Sequence, residues 1–385
     1  MPTHDDAQQI FQQGIHAIQR GYYLQATTLF ERALELYQTL PGTEHNQANC
    51  LGLLADTLGE LGKPAQAEPY YRQALTLVQT LPGTEHNQAA CLNNLATTLF
   101  LLGKLADAEP YYRQALTLYQ DIPGTERDQA NCLLNLAKTL RELGKPVQAE
   151  PYYRQALTLY QTLPNTQRDQ ANCLGNLATT LLLLGKPAQA EPHYRQALTL
   201  YQTLPGTEHN QATCLHNLAA ILATRGKLAD AESHYRQALT LYQDIPGTEH
   251  NQATCLHLLT TILATRGKLA EAEPYYHQAL TLYQTIPGTE HEQAKCLLNL
   301  AKTLRELGKP ADAESHYRQA LTLYQTIPGT EHNQADCLFN LATTLYELGK
   351  PAQAEPYYRQ ALTLYQTIPG TEHNQADCLH NLATA

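Results

Sequence analysis

The chain has 385 residues, 43% of them hydrophobic, and its 26 Lys and Arg against 36 Asp and Glu give a formal net charge of −10 at pH 7. Binding to a nucleic-acid backbone needs clustered basic residues, so this balance argues against a nucleic-acid partner. No apolar run reaches the roughly 18 residues of a membrane span, and the first residues do not form a secretory signal. We expect a cytoplasmic protein that does not bind membranes.

A 41-residue period runs through almost the whole chain. Cysteine recurs at positions 50, 91, 132, 173, 214, 255, 296, 337 and 378, and glycine at positions 21, 62, 103, 144, 185, 226, 267, 308 and 349. The period predicts one repeat domain over residues 1–385. Its predicted repeats span about 5–45, 46–86, 87–127, 128–168, 169–209, 210–250, 251–291, 292–332 and 333–373, followed by a partial repeat over 374–385.

The first repeat departs from the others. It has Gln9, Gln13 and Gly14 where later repeats carry Cys, Leu and Ala. Such drift is typical of a repeat that caps the end of an array.

The second repeat shows two helices, predicted over about 46–61 and 65–81, with Gly62 and Pro64 between them. Pro69 is expected near the first turn, where backbone N–H groups have no helical acceptor. Apolar residues recur at the spacing of one helix face and are expected to be buried. They are Leu51, Leu54, Ala55, Leu58, Ala67, Tyr71, Ala74, Leu75 and Val78.

A Thr-Glu-His segment follows seven of the nine predicted pairs and is expected to cap the next helix, with Glu85 favourable near its N-terminus. Equivalent cysteines on stacked repeats would lie about 10 Å apart, too far for a disulfide, so we expect reduced thiols. His86 and Cys91 would lie about 140° apart around a helix. No metal site and no cofactor are therefore expected.

Later repeats keep this pattern, and their second helices are predicted to begin near 24, 65, 106, 147, 188, 229, 270, 311 and 352. Tyr70 and Tyr111 are expected to pack between repeats. A tenth first helix is predicted from about 374 and stops at Ala385. The chain is thus either a fragment of a longer protein or one whose last helix serves as the cap.

The small residues Ala55, Ala67 and Ala74, with Gly62 and Tyr71, resemble the tetratricopeptide repeat. Segments such as 94–96, 103–104 and 108–111 resemble the long-repeat subtype of kinesin light chains. The resemblance implies an all-α, right-handed superhelix of nine 41-residue helix pairs plus a final half repeat. It also implies a concave groove, lined by the first helices, that binds peptides or proteins.

Positions that vary between repeats lie on one face of the predicted first helices. One offset holds Gly52, Asn93, Leu134, Gly175, His216, His257, Leu298, Phe339 and His380. The residues four and seven positions further on extend the stripe, and the resemblance places it in the groove. Surface drift without function is an equal alternative.

An asparagine ladder runs beside this stripe. A carboxamide can donate to and accept from a peptide backbone, and about 10 Å per repeat matches about three extended residues. We expect Asn135, Asn176 and Asn217 to form a central track, with bonding to neighbouring helices or water as the alternative. The ladder consists of Asn94, Asn135, Asn176, Asn217, Asn299, Asn340 and Asn381.

Further candidates lie on the same stripe. Lys138, Arg141, Lys302 and Arg305 could receive ligand carboxylates, or could pair with Glu142 and Glu306 on a solvated surface. The other candidates for the peptide site are His216, His257, Phe100 and Phe339. Phe100, with Leu101, Leu182 and Leu183, could form apolar anchoring pockets, or the leucines could pack between helices.

No motif for catalysis is present, and serine occurs only at 233 and 315. The sequence therefore predicts a non-enzymatic scaffold or adaptor that binds a peptide or protein in the groove. The alternative is a sensor or autoinhibitory module of a larger signalling protein, truncated at residue 385.

Overall fold

A computed structural model describes residues 3–384, which form nineteen α-helices and, within that range, no β-strand. Met1, Pro2 and Ala385 lie outside the described residues, and with them the predicted stop at Ala385. The helices are α1 His4–Gln19, α2 Tyr23–Gln38, α3 Glu44–Glu60, α4 Pro64–Thr80, α5 Glu85–Leu101, α6 Leu105–Gln120, α7 Glu126–Glu142, α8 Pro146–Thr162, α9 Gln167–Leu183, α10 Pro187–Gln202, α11 Glu208–Thr224, α12 Leu228–Gln243, α13 Glu249–Thr265, α14 Leu269–Thr285, α15 Glu290–Glu306, α16 Pro310–Thr326, α17 Glu331–Glu347, α18 Pro351–Gln366 and α19 Glu372–Thr384.

The helices form nine consecutive pairs, and α19 is a further first helix. The predicted all-α class and this count are confirmed. Each second helix begins one residue before its predicted start. In the described part of the chain, no helix is both long and apolar enough to cross a membrane.

The chain divides into two compact bodies. The N-terminal body is Met1–Leu200 and contains α1 to α9 with most of α10. The C-terminal body is Tyr201–Ala385 and contains α11 to α19. Within each body, first helices pack on their own second helices, as α3 does on α4, and on the second helices before them, as α3 does on α2.

The end of each first helix is set by glycine. Gly62 adopts φ +69°, a conformation that strains side-chain-bearing residues. Its N–H donates to the Gly59 carbonyl at 2.9 Å, and the Lys63 N–H donates to the Leu58 carbonyl at 2.9 Å. These two bonds satisfy the last carbonyls of α3 and turn the chain into α4, where Pro64 takes the first helical position.

The predicted threonine cap is wrong in direction. The Thr84 side chain accepts no hydrogen bond from a backbone N–H of α5. Its hydroxyl instead donates backwards, to the Val78 carbonyl at 2.5 Å and the Leu81 carbonyl at 2.8 Å. The Gln88 amide also donates to the Val78 carbonyl, at 3.1 Å. Thr84 and Gln88 therefore close the C-terminal end of the preceding helix, and Glu85 begins the next one.

The predicted apolar faces of the second repeat are buried, with Leu54, Ala55, Ala67 and Ala74 at 0% exposure. Pro69 was placed wrongly, because α4 begins at Pro64 and Pro69 is its sixth residue. It removes one helical bond to the exposed Ala65, whose carbonyl can bond water instead.

Charged side chains join the second helix of one repeat to the next repeat. Glu109 accepts from Arg113 of its own helix at 2.8 Å and from Lys145 of the next repeat at 2.9 Å. Arg113 also donates to the Tyr152 hydroxyl at 2.7 Å and stacks on its ring. Tyr111 takes the same role with Arg72, which confirms its predicted packing between repeats.

All nine cysteines are free thiols, and all are buried except the half-buried Cys91. The Cys132 thiol donates to the Tyr112 carbonyl at 3.2 Å. Burial raises the pKa of Cys132 to about 12. These thiols are packing groups rather than nucleophiles.

Candidate functional site

Successive first helices contact one another directly in each body, as α3 does with α5, α5 with α7, α7 with α9 and α15 with α17. We call the surface they share the first-helix surface. It comprises the variable stripe, the asparagine ladder and the residues four and seven positions after the stripe. Every candidate residue of the sequence analysis lies on a first helix: Asn94 and Phe100 on α5, Asn135, Lys138 and Arg141 on α7, Asn176 on α9, His216 and Asn217 on α11, His257 on α13, Asn299, Lys302 and Arg305 on α15, Phe339 and Asn340 on α17, and Asn381 on α19.

Two ladder asparagines are held by arginines of the preceding repeat. Arg141 donates to the Asn176 carboxamide oxygen at 2.8 Å, and the Asn176 amide donates to the Asn172 carbonyl at 2.7 Å. Arg305 donates to Asn340 in the same way, at 3.2 Å. Both ends of these carboxamides are therefore already bonded within the protein.

Asn94 is bonded differently. Its amide donates to the Asp56 carboxylate at 3.2 Å, and its oxygen accepts from the Asn93 amide at 3.2 Å. Asn94 thus orients an acidic group from the preceding repeat. Asp56 was not selected as a site residue from the sequence, although it is the only acidic residue at its offset.

Asn135 and Asn299 differ from these asparagines, because their carboxamides are not bonded within the described part of the protein. Both are half-buried, and within residues 3–384 neither carboxamide has a hydrogen-bond partner. The position 35 residues before each, which holds arginine for Asn176 and Asn340, holds Phe100 and Ala264 here. These carboxamides keep a donor and an acceptor for another molecule. Asn217 and Asn381 are also half-buried.

A lysine follows each of these two asparagines by three positions. Lys138 and Lys302 are half-buried, and neither takes part in an ion pair or hydrogen bond of the described residues. Burial lowers the pKa of Lys138, and the charge of Arg141 lowers it further. A desolvated ammonium without an acceptor favours an anionic partner.

The tyrosine hydroxyls behind the lysines are unsatisfied as well. In several repeats with threonine in place of the lysine this hydroxyl pairs with it, as Tyr112 does with Thr97 at 2.9 Å. Tyr317, behind Lys302, is buried and its hydroxyl has no partner. The Tyr153 hydroxyl, behind Lys138, lies near Thr180 but makes no bond of normal geometry.

Of the pairings with Glu142 and Glu306 that the sequence suggested, the one between Arg141 and Glu142 forms, whereas Arg305 approaches a different glutamate. Arg141 contacts the adjacent Glu142 at 2.9 Å, and Arg305 approaches Glu347 of the next repeat at 3.9 Å. Their main partners are the ladder asparagines.

Aromatic candidates on the stripe pack against tyrosines. His216 lies edge-on to Tyr235 and its Nδ1 is 3.1 Å from the Cys255 sulfur. His257 is only 7% exposed, and burial lowers its pKa to about 4, so it is neutral and offers little surface to a ligand. Phe339 lies edge-on to Tyr358 and is half-buried, as is Phe100.

The exposed apolar positions differ from the predicted anchoring pockets. Leu101 is 64% exposed and Leu183 is 62% exposed, so these two side chains project from the helix ends. Phe100 and Leu182 are half-buried.

The turn histidines have a packing role that the sequence did not reveal. His86 lies edge-on to Tyr119 of the next repeat, with ring centroids 6.0 Å apart, and His291 contacts Tyr324 in the same way at 5.8 Å. Among the described residues no group of His, Cys, Asp and Glu side chains could hold a metal ion.

A cavity of about 380 Å³ opens between α1, α3 and α5. Phe11, Gly52, Asp56, Cys91 and Asn94 are among the residues that line it. A Cβ atom built on Gly52 would meet nothing within 4 Å, so the missing side chain leaves this space open.

Comparison with known proteins identifies the family. The model described as "Tetratricopeptide repeat" matches residues 6–80, 58–121, 87–162, 128–203, 169–244, 210–285, 252–326, 293–367 and 334–385. No curated protein matches the chain by sequence.

Several solved structures have a similar fold. Apo RapI is 14% identical, with a TM-score of 0.65 over 94% of this chain and 98% of RapI. The apo quorum sensor NprR from B. thuringiensis is 15% identical, with a TM-score of 0.60 over 94% and 99%. BtubC (BKLC) from P. vanneervenii is 24% identical, with a TM-score of 0.50 over 57% and 91%. Because the family matches run from residue 6 to residue 385, the chain belongs to the tetratricopeptide repeat family.

Proposed function

We propose that the chain is a non-enzymatic scaffold or adaptor that binds extended peptide segments of protein partners along the first-helix surface. One observation carries the proposal: each body pairs an unengaged carboxamide with an unpaired ammonium, Asn135 with Lys138 and Asn299 with Lys302. A carboxamide matches the donor and acceptor of a peptide unit whatever its side chains are. An ammonium beside it adds a site for a carboxylate.

The energetics favour a polar, extended ligand. A half-buried polar group without a partner loses part of its hydration without compensation, and a ligand that supplies the partner recovers that loss. Because first helices are spaced by about 10 Å, each repeat can present one ladder position to about three residues of extended peptide. The apolar side chains beside the ladder asparagines, such as Phe339, would add contact area.

The test is selection of binding peptides from a displayed library of random 12-residue sequences, followed by affinity measurement with the full chain. Changing Asn135 and Asn299 to Ala together should weaken binding of selected peptides about two- to tenfold, because a peptide on either body loses about one net hydrogen bond of 0.5–1.5 kcal/mol. The matched control removes exposed carboxamides from second helices, Gln155→Ala with Gln278→Ala. It should leave affinity unchanged.

Urea unfolding of both double variants separates binding from stability. We expect both midpoints to stay close to that of the unchanged chain, because neither pair of carboxamides has a hydrogen-bond partner among residues 3–384. If no peptide is selected, or if selected peptides bind the asparagine variant as well as the unchanged chain, the proposal is wrong.

A further inference from the structure

The N-terminal body carries two unpaired charges of opposite sign at the same offset of the first-helix surface, two repeats apart. Asp56 lies on α3 and Lys138 on α7. The repeats around them place neutral threonines at this offset, Thr97 and Thr179. The charges are therefore not required by the repeat, which folds equally with a hydroxyl at this position.

Asp56 is held without a cation. Its carboxylate accepts from the Tyr71 hydroxyl and from the Asn94 amide, both through the same oxygen, Oδ1. No ion pair of the described residues involves Asp56. Burial raises the pKa of this carboxyl, and nearby Glu60 adds to the rise. The arrangement orients a desolvated acid but does not neutralise it.

The space in front of Asp56 suits a side chain from another molecule. Asp56 lines the cavity of about 380 Å³, together with Gly52 and Leu53 of the same helix. The next two repeats fill the Gly52 position with Asn93 and Leu134. Here, a Cβ on Gly52 would meet nothing, and the exposed Gly59 two turns further leaves the approach open as well.

Lys138 presents the opposite case. Its half-buried ammonium has no acceptor within residues 3–384, and the neighbouring Arg141 is engaged by Asn176 and Glu142. The Tyr153 hydroxyl behind it makes no bond of normal geometry. The Lys138 ammonium is therefore a hydrogen-bond donor without an acceptor among the described residues, and the group that would complete it is an acceptor that carries negative charge.

We propose that the N-terminal body selects an extended peptide that carries a lysine or arginine over Asp56 and an aspartate or glutamate over Lys138. Two repeats span about 20 Å, so the two charged residues stand about six positions apart in the peptide. This inference rests on the proposed function, since it uses the same surface, and it names the class of ligand. The order of the two charges follows from the direction in which the peptide lies.

The experiment uses the full chain and fluorescent 12-residue peptides of Ser, Gly and Ala with one Lys and one Glu. The two charges stand at positions i and i+6, in both orders, and control peptides replace Lys, Glu or both by Gln or bring the two charges to i and i+2. At low salt, the i, i+6 peptide with one of the two charge orders should bind at least about tenfold more tightly than the peptide in which both charges are replaced by Gln.

Two variants copy residues that neighbouring repeats already use. Asp56→Thr should abolish the preference for Lys over Gln and keep the preference for Glu. Lys138→Thr should do the reverse. Asp56→Lys combined with Lys138→Asp should transfer the tight binding to the peptide with the opposite order of charges, and unchanged circular dichroism of each variant excludes misfolding.

The outcomes separate this inference from the proposed function. Peptides selected from the random library that bind through Asn135 without any charge preference support the scaffold and overturn the charge pair. Equal affinity of the Lys and Gln peptides for the unchanged chain, or a Lys preference that survives Asp56→Thr, also overturns it. So does the absence of measurable binding by either order of the i, i+6 peptide at millimolar concentration.

Discussion

The Arg141 guanidinium lies 2.8 Å from the Asn176 carboxamide oxygen and joins α7 to α9. The same contact recurs between Arg305 and Asn340 in the C-terminal body. It divides a ladder that is uniform in sequence into asparagines that stabilise the stack and asparagines that are open to a ligand. Asn176, expected in the central track of a bound peptide, belongs to the first class in this structure.

A double-mutant cycle measures that contact. Arg141→Met and Asn176→Ala should each lower the free energy of unfolding, and their coupling should be about 0.5–1.5 kcal/mol, because the hydrogen bond involves a half-buried charge. Arg141→Met combined with Asn135→Ala is the control, since Asn135 lies six residues away on the same helix without contacting Arg141. That pair should be additive within about 0.5 kcal/mol. Equal coupling in both cycles would show that the Arg141–Asn176 contact contributes nothing.

The helix pairs could be predicted from sequence because their causes are local. Apolar spacing and the Gly62 turn recur nine times, so errors in one repeat are corrected by the others. The division of the ladder could not be read in this way, because its cause is a contact between repeats, 35 residues apart. A signal was present, since arginine occupies that earlier position only before Asn176 and Asn340 among the ladder residues.

The threonine in each turn shows a second limit of prediction from the sequence. Thr84 precedes a helix and has the chemistry of an N-cap, so the local pattern favours that role. Its backbone adopts φ −109° and ψ 17°, which turns the hydroxyl back to the Val78 carbonyl. The choice between the two bonds depends on how the preceding helix ends.

Two glycines in the first two repeats should respond oppositely to alanine. A Cβ on Gly14 would lie 2.7 Å from the buried Phe30 ring, so Gly14→Ala should destabilise the chain by about 1–3 kcal/mol. A Cβ on Gly59 would meet nothing within 4 Å in an exposed helical position. Gly59→Ala should therefore stabilise by about 0.5–1 kcal/mol. Urea midpoints measure both effects, and a destabilised Gly59→Ala would contradict the open surface.

The thiols should react in a defined order. Cys91 is the half-buried one, and burial with the charge of Asp56 raises its pKa to about 11. A thiol reagent at pH 8 should modify Cys91 first, slowly compared with a free thiol, and should reach all nine only after unfolding in non-reducing buffer. Cys91→Ser should remove the first phase. Persistence of that phase, or fewer than eight reactive thiols after unfolding, would contradict this assignment.

The ion pairs between repeats should make stability depend on pH. Lys186 of the next repeat lowers the pKa of Glu150 below its ordinary value of 4.5, Arg154 lowers it further, and burial opposes them. Because the folded pKa is lower than the unfolded one, the carboxylate stabilises the fold above pH 4.5. That contribution is lost as the pH falls through the folded pKa.

Glu150→Gln isolates this effect, and the chain provides a matched control. Glu355 accepts from Arg359 of its own helix at 2.7 Å, as Glu150 does from Arg154, but no lysine of a following repeat pairs with it in the described chain. At pH 7, Glu150→Gln should cost about 1 kcal/mol and Glu355→Gln less than about 0.5 kcal/mol, because exposed ion pairs contribute little. As the pH falls through the folded pKa of Glu150, the Glu150→Gln chain should approach the stability of the unchanged one. Equal losses for both variants at pH 7, or a Glu150→Gln loss that does not shrink as the pH falls, would show that the Lys186 pair does not stabilise the stack.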